Sequence, residues 1–292
     1  PSRAGGGVSL VELAKSKEGS KALQRDLAGA TPAKLQAALD ELRPALPELC
    51  FDTFGNYLVS GLLALPQAQP AVAAAISGRV VELASHAQGS RAFQAAIGTL
   101  PAPMVAALVA ELEGHVVDVA AHTNGSWSVC AAHRATHAAF IPAELAAAVS
   151  RLAREQDGSR AVQRVLAEGS SRGADVSALL DGLITLGGPQ LGALADDQFG
   201  NYAVQNALRA APPSCLAALL GLLLPRLPQL ASSKSGSNAA EAVVGLLPAE
   251  KLQEARRLLL GDGLGATPLA THRFGRHVVA ALQRREKALS AQ

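Results

Sequence analysis

The sequence predicts an all-α fold, an α-solenoid built from eight two-helix repeats. Three observations lead to it. A short motif with glycine in its second place recurs eight times, at Gly19, Gly55, Gly89, Gly125, Gly158, Gly200, Gly236 and Gly275, spaced by 36, 34, 36, 33, 42, 36 and 39 residues. The 292 residues are 49% hydrophobic and only 17% charged, with a surplus of Ala and Leu that favours helix. Each motif but the last is followed by a helix breaker, and no segment shows the alternation of β-branched residues that marks a strand.

The repeats follow in order. Repeat one reads EGSKALQ and breaks at Pro32; repeat two reads FGNYLVS and breaks at Pro66; repeat three reads QGSRAFQ and breaks at Pro101. Repeat four, NGSWSVC, breaks at Pro142, and repeat five, DGSRAVQ, at Gly169 with Ser170 and Ser171. Repeat six, FGNYAVQ, breaks at Pro212, repeat seven, SGSNAAE, at Pro248, and repeat eight reads FGRHVVA. A second Ala/Leu-rich segment follows each breaker, such as AKLQAALDELRPAL. A two-helix unit of this size cannot bury its own apolar face, so neighbours must stack over a shared core. The extra length between Gly158 and Gly200 holds SSRGADVS and LGGPQ, which are expected in surface loops. The repeat domain spans 8–286, with motifs at 19–24, 55–60, 89–94, 125–130, 158–163, 200–205, 236–241 and 275–280. A disordered edge (1–7) precedes it and a tail (287–292) follows. The opening PSRAGGGVSL lacks the apolar core of a signal peptide and reads as the edge of a longer chain.

The polar residues of the motif need a reason beyond helix formation. Each residue advances roughly 100° around a helix, so in repeat six Asn201, Tyr202 and Gln205 share one arc opposite Ala203, Val204, Ala207 and Leu208. The middle slot of this claw holds Lys21, Tyr57, Arg91, Trp127, Arg160, Tyr202, Asn238 and His277, which includes both tyrosines and the only tryptophan of the chain. Rings and guanidinium planes stack on exposed nucleobases. The first slot holds Ser20, Asn56, Ser90, Ser126, Ser159, Asn201, Ser237 and Arg276. The third slot, one turn later, holds Gln24, Ser60, Gln94, Cys130, Gln163, Gln205, Glu241 and Ala280. A hydroxyl or amide paired with Gln or Glu can address a base edge, because Gln donates and accepts while Glu only accepts. Stacking plus two edge contacts per repeat points to single-stranded RNA read one base at a time.

The ordered series Ser-Lys-Gln, Asn-Tyr-Ser, Ser-Arg-Gln, Ser-Trp-Cys, Ser-Arg-Gln, Asn-Tyr-Gln, Ser-Asn-Glu resembles repeats one to seven of the Pumilio, or PUF, RNA-binding proteins, and the likeness covers residues 8 to 286. The resemblance implies a right-handed crescent that binds RNA antiparallel to the chain. It implies that Ser237 with Glu241 selects guanine and Asn201 with Gln205 uracil. Ser159 with Gln163, Ser90 with Gln94 and Ser20 with Gln24 would select adenine. The implied target resembles 5′-NGUANAUA, a UGUA-type element. Ser60 in place of Gln weakens the uracil preference of repeat two, and Cys130 is a poor donor beside Trp127. Repeat eight departs with Arg276, His277 and Ala280 and resembles a carboxy-terminal cap. The resemblance further implies a monomer on 3′ untranslated regions of messenger RNA, with effector proteins on the outer face. It implies repression or decay of the message in the cytoplasm.

Other chemistry is not indicated. Cys50, Cys130 and Cys215 lie far apart with no paired spacing, and no cofactor is expected. His133 and His137 stand one turn apart without a third ligand, so they read as a partly exposed helix face. Asp52 and Asp197 read as helix caps, the motif glycines as close packing points, and Phe51, Phe54, Phe93, Phe199 and Phe274 as packing residues. Cys50 and Cys215 read as buried small hydrophobes. No nucleophile, base and oxyanion hole assemble, so no enzyme is expected. Arg, Pro or Asp interrupts every apolar run, so no membrane span is expected. The net charge of +2 announces no basic surface. Two alternatives remain open: a nucleolar Pumilio-like protein on ribosomal RNA precursors, suggested by the degenerate repeats four and eight, and a protein-binding helical scaffold, suggested by the low charge.

Overall fold

The computed structural model describes residues 8–261 and 268–290, and among them there are helices and turns but no strand. The expected edge, 1–7, lies outside the described residues, as do the last two residues of the tail; Lys287 to Ser290 continue the final helix. Within the stretch that the repeats span, the chain forms two compact units, Pro1–Ala138 and Ala139–Gln292.

The first unit contains α1 (Leu10–Ala14), α2 (Lys17–Ala28), α3 (Pro32–Leu42), α4 (Leu46–Leu49), α5 (Gly55–Leu63) and α6 (Gln69–Ile76). It continues with α7 (Val80–Ser85), α8 (Gly89–Thr99), α9 (Ala102–Ala110), α10 (Val116–Ala120) and α11 (Thr123–Thr136). The motif helices α2, α5, α8 and α11 pack side by side in that order, and the helices after each breaker form a second layer behind them. The second unit contains α12 (Phe140–Ala147), α13 (Val149–Leu152), α14 (Gln156–Arg172), α15 (Ser177–Thr185), α16 (Gly187–Asp196), α17 (Gly200–Ala210) and α18 (Pro213–Leu223). A 3-10 turn (Leu224–Arg226), α19 (Leu227–Ala231), α20 (Lys234–Leu246), α21 (Ala249–Leu260), α22 (Pro268–Thr271) and α23 (Gly275–Ser290) complete it. Here α14, α17, α20 and α23 pack in sequence. In both units the core lies between the layers and is built almost wholly from Leu, Val and Ala.

Local chemistry accounts for most boundaries. Ser9 forms a full capping box with Glu12, and Ser16, Thr31 and Ser233 cap α2, α3 and α20 through their hydroxyls. Proline opens the second-layer helices: Pro32 is the first residue of α3, while Pro101, Pro212 and Pro248 stand at the N-caps of α9, α18 and α21. A proline in these places loses no intrahelical hydrogen bond, which is why it punctuates the repeat without distorting it.

Several expectations need correction. The repeats are not simple pairs, because a short helix (α4, α7, α10, α13 and α19, with the longer α16) precedes the motif helix. Four to six residues carry too little periodicity to stand out from a loop. Gly169, Ser170 and Ser171 do not break repeat five: α14 runs through them and ends at Gly173 in the left-handed conformation (φ 67°). Gly169 is instead a contact point, since a Cβ there would lie 2.5 Å from a methyl of Val176. The LGGPQ stretch is likewise not a loop but the start of α16, set at 105° to α15 across Gly187, whose φ of 71° only glycine adopts cheaply. Pro142 falls inside α12 instead of ahead of it.

One stretch, Pro213–Ala231, meets the length and apolar composition of a membrane span (19 residues, mean hydropathy 1.4), which corrects the expectation that none would. It is broken by the 3-10 turn, and its Leu219, Leu220, Leu223, Leu224, Leu227 and Leu230 are buried in the second unit. His133 is buried, not partly exposed, and its ring lies 5.7 Å from that of His137, the left-handed cap of α11. Among the described residues no cluster of three metal-ligating side chains forms. Cys215 is half-buried, whereas Cys50 is fully enclosed and burial pushes its thiol up to about 12.

Candidate nucleic-acid interface

The motif glycine sets the geometry of every claw. A Cβ placed on Gly19, Gly55, Gly89, Gly125, Gly158, Gly200, Gly236 or Gly275 would lie 1.9–3.0 Å from a backbone carbonyl oxygen six residues earlier. Those carbonyls belong to Leu13, Leu49, Leu83, Val119, Leu152, Leu194, Leu230 and Leu269, each of which sits on the short helix before the motif. Only a hydrogen side chain lets the motif helix start this close to its predecessor.

A second device sits three residues before the glycine. Asp52 accepts from the amides of Phe54 and Gly55, and Asp197 from those of Phe199 and Gly200; the N-caps themselves are Phe54 and Phe199, so each aspartate holds the turn before the helix and is not the expected cap residue. Ser16 and Ser233 accept from Gly19 and Gly236 in the same manner. His86 and His272 do so through Nδ1, a ring nitrogen in the acceptor's place. The acceptor position is legible in the sequence three residues before these glycines, but a histidine there gives no signal of its own because it accepts through a ring nitrogen and not an oxygen.

The three slots differ sharply in exposure. First-slot residues Ser20, Asn56, Ser90, Ser126, Ser159, Asn201 and Ser237 are all buried, and Arg276 alone is exposed. Their polar hydrogens serve the helix start. Asn56 donates to the carbonyls of Asp52 and Thr53, Asn201 to those of Asp197 and Gln198. Ser90, Ser126, Ser159 and Ser237 donate to the carbonyl three residues back, and Ser20 donates across to Phe54 of the next repeat. The first slot therefore forms a floor. Middle-slot residues stand out from it: Tyr57, Trp127 and Tyr202 are 48%, 41% and 51% exposed, uncommon for large rings in so apolar a chain. Lys21, Arg91, Asn238 and His277 are also exposed, and Arg160 is half-buried through its 2.9 Å ion pair with Asp157. Third-slot residues Gln24, Ser60, Gln94, Gln163, Gln205 and Glu241 are half-buried, leaving an edge accessible, while Cys130 is buried.

In the first unit the slots of neighbouring repeats converge. Lys17, Ser20, Lys21, Gln24, Phe54 and Tyr57 line a notch of about 310 Å³ between repeats one and two. It has an aromatic wall, two ammonium groups and a carboxamide held by Ser20, whose carbonyl and hydroxyl both accept from Gln24 Nε2. Arg91 donates to the phenol oxygen of Tyr57 at 3.0 Å, so the middle slots of repeats two and three touch. In the second unit, Gln205 donates to Asn201 and accepts from Arg209, and Asn238 donates to the carbonyl of Lys234. Repeat eight differs: Arg276 donates to the ring of its neighbour His277, and Ala280 supplies no polar edge. Such a surface offers flat faces for stacking with donors and acceptors beside them.

The family model for the Pumilio-family RNA binding repeat matches residues 79–113, 149–175 and 193–224, which hold the motifs of repeats three, five and six. Pumilio homolog 1 of Xenopus laevis is 32% identical over 94 residues, which make up 32% of this chain and 8% of that protein; the chain thus aligns with a small part of the relative's length. Among solved structures, PUF-8 in complex with PBE-RNA superposes with a TM-score of 0.79 at 21% identity, covering 97% of this chain and 88% of that one. The Puf4 RNA binding domain bound to a recognition sequence from the HO endonuclease RNA 3′ UTR gives 0.78 at 22% identity, covering 99% and 94%. The RNA-binding domain of yeast Puf5p bound to SMX2 RNA gives 0.77 at 19% identity, covering 97% and 85%. These likenesses establish the all-helical solenoid fold.

Proposed function

The chain belongs to the Pumilio family, and from that premise we propose that it binds single-stranded RNA in a sequence-specific manner, one base per repeat. The observation that carries the reading is the exposure of the middle slot above a buried first slot. The outward rings Tyr57, Trp127 and Tyr202 suit stacking on bases, and the half-buried carboxamides and carboxylate of the third slot suit contacts to base edges. Edge chemistry then assigns the target. Glu241 offers only acceptors, which suit the N–H groups of guanine, whereas Asn201 with Gln205 suits uracil. Gln163, Gln94 and Gln24, each paired with serine, suit adenine. Read from repeat eight to repeat one, the element is 5′-NGUANAUA, and the site of action is the 3′ untranslated region of messenger RNA in the cytoplasm. The protein recognises and other factors, recruited to the outer face, repress or degrade the message.

Titration of a labelled octamer, 5′-UGUAUAUA, against a scrambled octamer of equal composition tests this at one fixed salt concentration. Since a wrong base costs about 1–3 kcal/mol at each well-read position, the matched RNA is expected to bind about 100-fold tighter or more. Equal affinity for the two would remove the proposal. Salt-dependent binding without discrimination would favour a loosely specific ribosomal RNA partner, and no binding at all would favour a protein scaffold.

A further inference from the structure

Repeat six carries a hydrogen-bond chain that no other glutamine repeat can build. It starts at the backbone. Asn201 Nδ2 donates to the carbonyl oxygens of Asp197 and Gln198 at 2.9 and 3.0 Å. Carbonyls only accept, so the amide of Asn201 has one possible orientation and its Oδ1 faces the next turn. There it accepts from Gln205 Nε2 at 3.1 Å. That contact turns Gln205 Oε1 toward the following turn, where Arg209 Nη2 donates to it at 3.4 Å. The guanidinium only donates, so the far end enforces the same direction as the near end. Arg209 is itself steadied by Nη1 donating to Asn206 Oδ1 at 3.3 Å, with Asn206 Nδ2 donating back to the carbonyl of Tyr202 at 2.9 Å.

The sequence isolates this arrangement. One turn beyond the third-slot glutamines Gln24, Gln94, Gln163 and Gln205 stand Ala28, Gly98, Ala167 and Arg209. Only the last is a donor. In repeat two, where the first slot is again asparagine, Ser60 donates to the backbone carbonyl of Asn56 and the residue one turn on is Ala64.

We infer that Arg209 is a positioning residue that locks the Gln205 carboxamide in the orientation that reads uracil and refuses cytosine; this rests on the RNA-reading function proposed above. A locked Gln205 presents its Oε1 acceptor and the second N–H of its Nε2 in one fixed order. Uracil presents the complement, an N3–H donor beside the O4 acceptor. Cytosine presents the reverse, an N3 acceptor beside the N4 donor. A carboxamide free to turn over satisfies either base, so the lock is what separates two pyrimidines of the same size.

The test compares wild type, Arg209→Ala and Arg209→Glu on octamers carrying U or C at the third position, the one assigned to repeat six. A second pair carrying G or A at the second position serves as a control. Arg209 is exposed, so the variants are expected to fold, which circular dichroism checks. Loss of one charge-assisted hydrogen bond is expected to lower the U-over-C preference of Arg209→Ala roughly 5- to 10-fold. The G-over-A preference stays unchanged. Arg209→Glu replaces donors by acceptors, attracts Gln205 Nε2, and shifts the preference toward C. If Arg209→Ala weakens all four RNAs by one factor and keeps the U/C ratio, Arg209 supplies only charge and the inference is wrong. If wild type itself does not separate U from C while still separating G from A, repeat six does not read uracil and the inference fails with it. If it separates neither pair, the proposed function fails as a whole.

Discussion

Gly125→Ala is expected to destabilise the first unit by about 3 kcal/mol or more, the upper end of the cost of overpacking a rigid contact. A Cβ at this position would stand 1.9 Å from the carbonyl oxygen of Val119 and 2.8 Å from its carbonyl carbon. No rotamer change relieves a clash between two backbones. Relief requires α10 to move away from α11, and Val119 and Ala120 of α10 and Val129 of α11 are all enclosed in the core that such a movement would open. Gly98→Ala is the matched control, because a Cβ there meets nothing within 4 Å and Gly98 lies near the end of α8. That substitution is expected to be neutral or to stabilise by roughly 0.5–1 kcal/mol through helix propensity. Urea unfolding followed by circular dichroism measures both as shifts in midpoint at constant slope. Equal midpoints for the two variants would show that the motif glycine is not a packing requirement.

Glu241→Arg is expected to abolish the preference for guanine at the second position of the RNA and to weaken binding of 5′-UGUAUAUA about 100-fold. Glu241 sits one turn after Ser237 on α20 with part of its side chain accessible. An ionised carboxylate only accepts hydrogen bonds, and guanine is the base whose edge offers two adjacent N–H donors, at N1 and N2. Two charge-assisted contacts, each worth roughly 1.5–3 kcal/mol and partly exposed to water, support the lower part of their summed range. Arginine only donates, so the exchange inverts the pattern and places donors against donors. Binding to RNAs carrying each of the four bases at that position checks the result. Retained selectivity for guanine in the variant would show that the carboxylate is not its source.

The parts of the fold that could be read from the sequence are those fixed by strict spacing. Each of the eight glycines lies in a helix, where it meets a backbone carbonyl six residues earlier, a contact that leaves no alternative residue. Pro32, Pro101, Pro212 and Pro248 marked the second helices because proline is favoured at helix starts. Gly169 misled for the opposite reason: glycine and serine weaken a helix without ending it, and Arg172 and Gly173 supply the real terminus. The claw was legible as an angular arrangement and illegible as a depth. A helical wheel places Ser159 or Asn201 on the same arc as the middle slot, but both are buried and bonded to backbone carbonyls at the start of their own helix, which a wheel does not show. The Arg209 contact was invisible for a similar reason, since an arginine one turn past a glutamine has the spacing of an ordinary exposed helix pair.

Selection of bound RNA from a pool of random single strands, followed by sequencing, addresses most directly whether these exposed claws recognise bases. Enriched molecules are expected to share a GUA core, with A two and four positions after it and tolerance at the position facing Trp127 and Cys130. A pool that enriches no common element, or one that enriches an element left intact when Tyr202 and Glu241 are replaced by alanine, would contradict the assignment of that surface to RNA recognition.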